Sequence, residues 1–275
     1  MKKTTILAIF LFSTLISFGQ RKEKIKGDRE VVTVSKTILN IFKTIEIDDN
    51  LEVNINQGSR NSYLLTTDKN LVSSIQFSVI DSILKIYTLR NIVSNKKLEI
   101  DLTVSELEYI VLKNDASIKS NNKLEVNTLK INGDNICKFD LDIEGTELFI
   151  TMQGNNDGKI KFKGENATII MNDRTDLDAD LRTTNLEVTL NDNAQLRAEG
   201  NSDNATYNLK KGSDLKAKKL ECGIIKLNAS SNSDVYVRAS KNLEVYAQGK
   251  SEIYVYGNPE IDVKELSDKS KIIKK

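Results

Sequence analysis

The residues of this sequence best suited to chemistry are Asp176, Asp178 and Asp180, which stand at every second position in "DLDADL". Carboxylates that converge can hold calcium, and two carboxyls in unlike surroundings can cleave a glycosidic bond. Other reactive types are scarce. No histidine occurs among the 275 residues, so the usual general base, nucleophile activator and zinc ligand are missing. Cys137 and Cys222 are the only cysteines, too few for a disulfide scaffold. Basic and acidic residues number 40 and 39 and are interspersed, which gives no electrostatic case for binding nucleic acid.

The element that carries the aspartates decides what they can do. Apolar and polar residues alternate in "KIKFK" (159–163), "LEVTL" (186–190) and "EIYVY" (252–256). That period of two predicts strands, and no helical stripe runs through the chain after its N-terminal segment. The sequence also repeats. Cut at residues 110, 129, 148, 167, 186, 205, 224 and 243, it falls into segments of 19 such as "ATIIMNDRTDLDADLRTTN" and "LEVTLNDNAQLRAEGNSDN". A small turn residue recurs at Thr175, Ala194, Ser213, Ser233, Ser251 and Ser270, each two positions before an apolar one. The segment at 224 fits only from Ile225, so one extra residue is expected near Cys222-Gly223. Units this short bury an apolar face only by stacking. The expected fold is therefore all-β, a right-handed parallel β-helix with ~19-residue coils, in which eight or so coils at ~4.8 Å each make a rod on the order of 40 Å long.

Residues 1–19 read as an export signal: Lys2 and Lys3, an apolar run from Ile6 to Leu15, and Ser17-Phe18-Gly19 before Gln20. The run is too short for a permanent span, so no integral membrane segment is expected after cleavage. Removing the segment's two lysines moves the formal charge from +1 to about −1. The run "RKEKIKGDRE" then reads as part of a flexible linker over 20–35. Residues 36–275 form a single domain, with less regular coils or a capping sheet over 36–105 and regular repeats over 106–275.

Aligning the segments places Asp178 and Asp180 in two outward columns, with Leu177, Ala179 and Leu181 inward. The columns read Asp140 and Asp142, Lys159 and Lys161, Asp178 and Asp180, Arg197 and Glu199, Lys216 and Lys218, Tyr236 and Arg238, then Tyr254 and Tyr256. Cations on the neighbouring coils make a charge ladder the simpler account of the aspartates, and leave only Asp176, near the turn, free to bind an ion. Neither a metal site nor a catalytic residue is expected. The cysteines fall four coils apart, roughly 19 Å, too far for a disulfide. Tyr236, Arg238, Tyr246, Tyr254 and Tyr256 near the C-terminal end are an aromatic ladder or a recognition patch for a glycan or surface protein.

The stretches "FKTIEIDDNLEVNINQG" (42–58), "LLTTDKNLVSSIQFSVIDSILKIYTL" (64–89), "LEIDLTVSELEYIVLKNDASI" (98–118) and "LEVYAQGKSEIYVYGNPEI" (243–261) resemble the head GIN domain family, which carries the label of an auto-transporter adhesin and is otherwise of unknown function. The last stretch keeps Gly249, Ser251, Tyr254 or Tyr256, Gly257 and Pro259 of the family's pattern, while "DRT", "DNA" and "KGS" replace its Gly-Ser-Gly turns. The resemblance implies a right-handed β-helix exported by bacteria and brings no catalytic residues or cofactor. The expected protein is an exported, non-enzymatic adhesion or binding module in the periplasm, on the outer surface or outside the cell. The alternatives are a polysaccharide-cleaving enzyme on the same scaffold, which needs a groove, and a ligand-free envelope scaffold.

Overall fold

The structure, a computed structural model, describes residues 22–275. The expected export signal lies outside those residues. From residue 109 onward the chain winds as stacked parallel coils, a β-solenoid of about nine turns in all with a spacing of ~19 residues. Strands such as Asp176–Leu190 and Gln195–Leu209 each supply two faces of a coil, in register along their length. The bend between the faces falls where two outward residues adjoin, as at Thr184 and Asn185. Inward positions are apolar because each is buried by the coils on either side. Leu177, Leu196, Leu215, Val235 and Ile253 form one such column and are all fully buried.

The small turn residues form another buried column, running from Ala116 through Cys137, Asn156, Thr175, Ala194, Ser213 and Ser233 to Ser251. At this corner the side chain closes the turn behind it. Thr175 Oγ1 donates to the Asn172 carbonyl at 3.1 Å, Ser233 Oγ to Ser230 at 2.8 Å and Ser251 Oγ to Gln248 at 3.0 Å. The preceding residues take left-handed backbone, for example Asp192 and Asn193 with φ of 56° and 72°, which short polar side chains tolerate. Outward asparagines stack on one another, as in Asn166, Asn185 and Asn204, whose amides bond in series at 3.0 and 3.1 Å.

The N-terminal third is built from strands β1 (Lys24–Lys26), β2 (Val31–Thr37), β3 (Thr44–Ile47), β4 (Glu52–Gln57), β5 (Ser62–Asp68), β6 (Ile75–Ile80), β7 (Ile83–Thr88), β8 (Asn91–Ser94) and β9 (Leu98–Val104). The β3–β4 coil is stacked between two others. The next regular coil, β10 (Tyr109–Leu112) and β11 (Ser117–Ser120), lies on one side, and β7 and β9 lie parallel to it on the other. Antiparallel β6, β5 and β2 then cover the exposed edges of β7, β9 and β5 in turn. The segment thus supplies coils and a capping sheet at once. Unpaired edges invite association, and antiparallel strands end the stack.

The flexible linker expected over 20–35 is corrected for the described part of that segment. β1 pairs with β8, and β2 pairs with β5 along seven residues. The fully buried carboxylate of Asp68 accepts the Arg29 amide at 3.2 Å and the Lys96 amide at 3.0 Å, tying the charged run down. The extra residue expected near Cys222-Gly223 is also displaced. Arg197 faces Lys216 but Glu199 faces Lys219, so the bulge is at Lys218.

Candidate functional site

One face of the solenoid carries the ladder. Asp140, Lys159, Asp178, Arg197, Lys216, Tyr236 and Tyr254 are in register on successive coils. The second column runs Asp142, Lys161, Asp180 and Glu199 to Lys219, because the bulge removes Lys218 from it. Beyond the bulge Arg238 faces Glu221 and then Tyr256. The inward position between the columns holds Leu141 and Ile160, then Ala179, Ala198 and Ala217. Small side chains there prop the strand less, and the two charged columns wall a groove of about 630 Å³ along the axis.

Arg197 governs the aspartates. Its guanidinium donates through Nη1 and Nη2 to both carboxylate oxygens of Asp176, the former at 3.0 Å, and through Nε to Asp178. Hydrogen bonds donated to Asp178 and Asp176 push the guanidinium's pKa up, despite partial burial. This corrects the expectation that Asp176 is free for an ion, since a turn-proximal carboxylate two residues from Asp178 fits one arginine fork. Lys161 lies 3.9 Å from Asp142 and Lys219 lies 3.4 Å from Glu199. No cluster of potential metal ligands occurs among the described residues.

At the C-terminal end of this face, the rings of Tyr236 and Tyr254 stack with centroids 4.6 Å apart and planes within 8°. Lys275 Nζ stands 5.2 Å from the other face of Tyr254, and the Tyr254 hydroxyl donates to Glu252 at 2.7 Å. That bond pushes the Tyr254 phenol up to about 12. Asp234, exposed but flanked by Asp214 and Glu252, has its carboxyl pushed up, first by partial desolvation and then by those two charges. The rings therefore sit beside a column of carboxylates.

The structure brings Tyr236, Arg238, Tyr254 and Tyr256 together and leaves Tyr246 apart. Tyr246 follows the bend, on the next face, where it is in register with Asn228 and has Lys226 Nζ 6.0 Å from its ring. Both cysteines are free and buried, in different columns, Cys137 at the corner and Cys222 in line with Ser202. Burial pushes each thiol up to about 11. Sequence reasoning missed the groove. Its trace was the run of alanines at one inward position, legible only once the coils are in register.

Parallel coils with a charged groove and an aromatic end define the class of protein, a β-solenoid with one long grooved face. Within that class the chain belongs to the family described as "Putative auto-transporter adhesin, head GIN domain", whose profile matches residues 41–165 and 155–259. No curated protein matches it. Among solved structures it is similar to a "putative adhesin" from Parabacteroides merdae (18% identity, TM-score 0.71, covering 92% of this chain and 99% of that one). A "putative adhesin" (18%, 0.67, 92% and 98%) and a "Putative lipid binding protein" (19%, 0.64, 92% and 99%), both from Parabacteroides distasonis, are also similar. At these identities the likeness is one of fold.

Proposed function

We propose that this chain is an exported, non-enzymatic binding module of the cell surface or envelope that engages a glycan or surface protein through Tyr236, Arg238, Tyr254 and Tyr256. The observation that carries the reading is the half-exposed, stacked Tyr236–Tyr254 pair at the end of a groove on the same face. Stacked rings lose little freedom on binding, and exposed Tyr and Arg are the residue types that concentrate binding energy. The family's description as an adhesin and the neighbours' names point the same way. Export rests on the segment Met1 to Gly19.

A groove with acidic and basic walls is also what a polysaccharide-cleaving enzyme needs. Such chemistry needs two carboxyls held in unlike states. Here Arg197 donates to Asp176 and Asp178 alike, so the two carboxyls share one partner and stand in like surroundings, which favours binding over cleavage.

The test is to apply the purified protein and its Y236A/Y254A/Y256A variant to glycan and matrix-protein arrays. The expected result is retention by a defined ligand class and a loss of about tenfold or more in the variant, at ~1–2 kcal/mol per anchor. Equal retention of the two proteins removes the patch, and retention by nothing leaves the ligand-free scaffold as the better account. Fractionating cells that express the full chain tests export.

A further inference from the structure

The groove leading to the tyrosines carries a pattern that stability does not explain. Asp140, Lys159 and Asp180 lie on three consecutive coils and alternate in sign. Among the described residues none of the three has an ion-pair partner, while Asp142, Asp178, Arg197 and Glu199 all do. A ladder built for stability would pair Lys159 with the aspartates in register on either side of it. Instead Asp178 is drawn away by Arg197, and one unpaired charge per coil is left along the groove, Asp140 and Lys159 on one wall and Asp180 on the other.

Three considerations narrow what such a wall fits. The floor is strand backbone over the inward, buried Leu141, Ile160, Ala179 and Ala198, and with the aliphatic stems of Lys159 and Lys161 beside it the groove offers a narrow track between charged groups, which suits the faces of sugar rings. Coils repeat at ~4.8 Å, about the length of one sugar in an extended glycan, whereas an extended peptide advances ~3.3 Å per residue and falls out of step. Uniform charge is also disfavoured. A polyanion laid along the groove meets Asp140, Asp180 and Glu199, and a polycation meets Lys159, Lys161 and Lys216, like against like.

We infer that the groove binds a linear polysaccharide alternating cationic and anionic sugars, one sugar per coil, with Asp140 and Asp180 meeting ammonium groups and Lys159 the intervening carboxylate. This deepens the binding-module reading and rests on it, adding the ligand's charge pattern and its direction along the axis. The tyrosine end, flanked by Asp214, Asp234 and Glu252, extends the track with a further cation-favouring position.

The experiment measures binding by calorimetry at mildly acidic pH and low salt, using de-N-acetylated hyaluronan oligosaccharides, in which glucuronate alternates with free glucosamine. Comparison ligands are the N-acetylated parent, polygalacturonate, chitosan oligomers and an alternating Lys-Glu peptide. The alternating glycan is expected to bind at least about tenfold more tightly than any comparison ligand. Lys159→Gln and Asp180→Asn should each weaken it about tenfold while the melting temperature stays unchanged, and added salt should weaken it further. Equal binding of a uniformly charged polymer, tighter binding of the peptide, or indifference to both substitutions overturns the inference. If the arrays retain the protein through its tyrosines while Lys159→Gln has no effect, the groove inference alone fails. If the arrays retain nothing, the binding reading fails with it.

Discussion

Replacing Asn156 with alanine is expected to cost about 3–5 kcal/mol of stability, although the residue sits in a turn and carries no charge. Its side chain is 1% exposed and ties three backbone groups together. Oδ1 accepts the Cys137 amide at 2.9 Å, and Nδ2 donates to the carbonyls of Gly133 at 2.7 Å and Gln153 at 2.9 Å. Gly133 makes the room, since a Cβ there would stand 2.9 Å from Nδ2. Alanine strands a buried N–H, worth ~1–3 kcal/mol, weakens two carbonyls' satisfaction and opens a small void. Asn156→Thr imitates the next coil, where Thr175 closes the same turn onto Asn172, and should recover ~1 kcal/mol of the loss. Urea unfolding followed by far-ultraviolet circular dichroism measures both variants. An alanine variant within ~1 kcal/mol of the parent, or a threonine variant no better than alanine, would refute the claim that corner side chains hold the turns.

Two further outcomes follow from titration and access. Glu144 lies 2.8 Å from both Lys123 and Lys163, whose hydrogen bonds and charges pull its carboxyl from 4.5 down to about 2. A depressed carboxyl contributes stability above its unfolded value and loses it as pH falls through the folded one, so Glu144→Gln should flatten the pH dependence of melting between about 4.5 and about 2. An unchanged acid limb counts against the pair, which is solvent-exposed and modest. The thiols of Cys137 and Cys222 should resist a disulfide-exchange reagent in the native protein and both react after unfolding, and rapid native labelling would contradict their burial.

Much of the fold was legible because a solenoid writes its geometry into the sequence as a period. Each coil contacts only its neighbours, so the 19-residue spacing that puts Leu177 over Leu196 also sets which outward residues share a column. The same arithmetic kept Cys137 and Cys222 apart. It worked less well where the period slips. Lys218 and Lys219 are indistinguishable as sequence, and only strand pairing shows which one bulges. Tyr246 was grouped with Tyr254 by nearness in the chain, yet the bend after Arg238 turns it to another face.

By itself, the sequence determined the all-β repeat, the inward and outward sides of each strand, and the order of charges up the ladder, because side-chain alternation and coil length are local properties. Tertiary structure decided the rest. Pairing with distant strands turned residues 22–37, most of them expected to be linker, into part of the cap, since an edge strand such as β5 is satisfied by whatever chain reaches it. Packing across coils sent Arg197 to Asp176 and Asp178, left Asp140, Lys159 and Asp180 unpaired, and drew the alanine-lined strands into a groove. Which charges pair depends on side-chain reach in three dimensions, and register alone does not specify it.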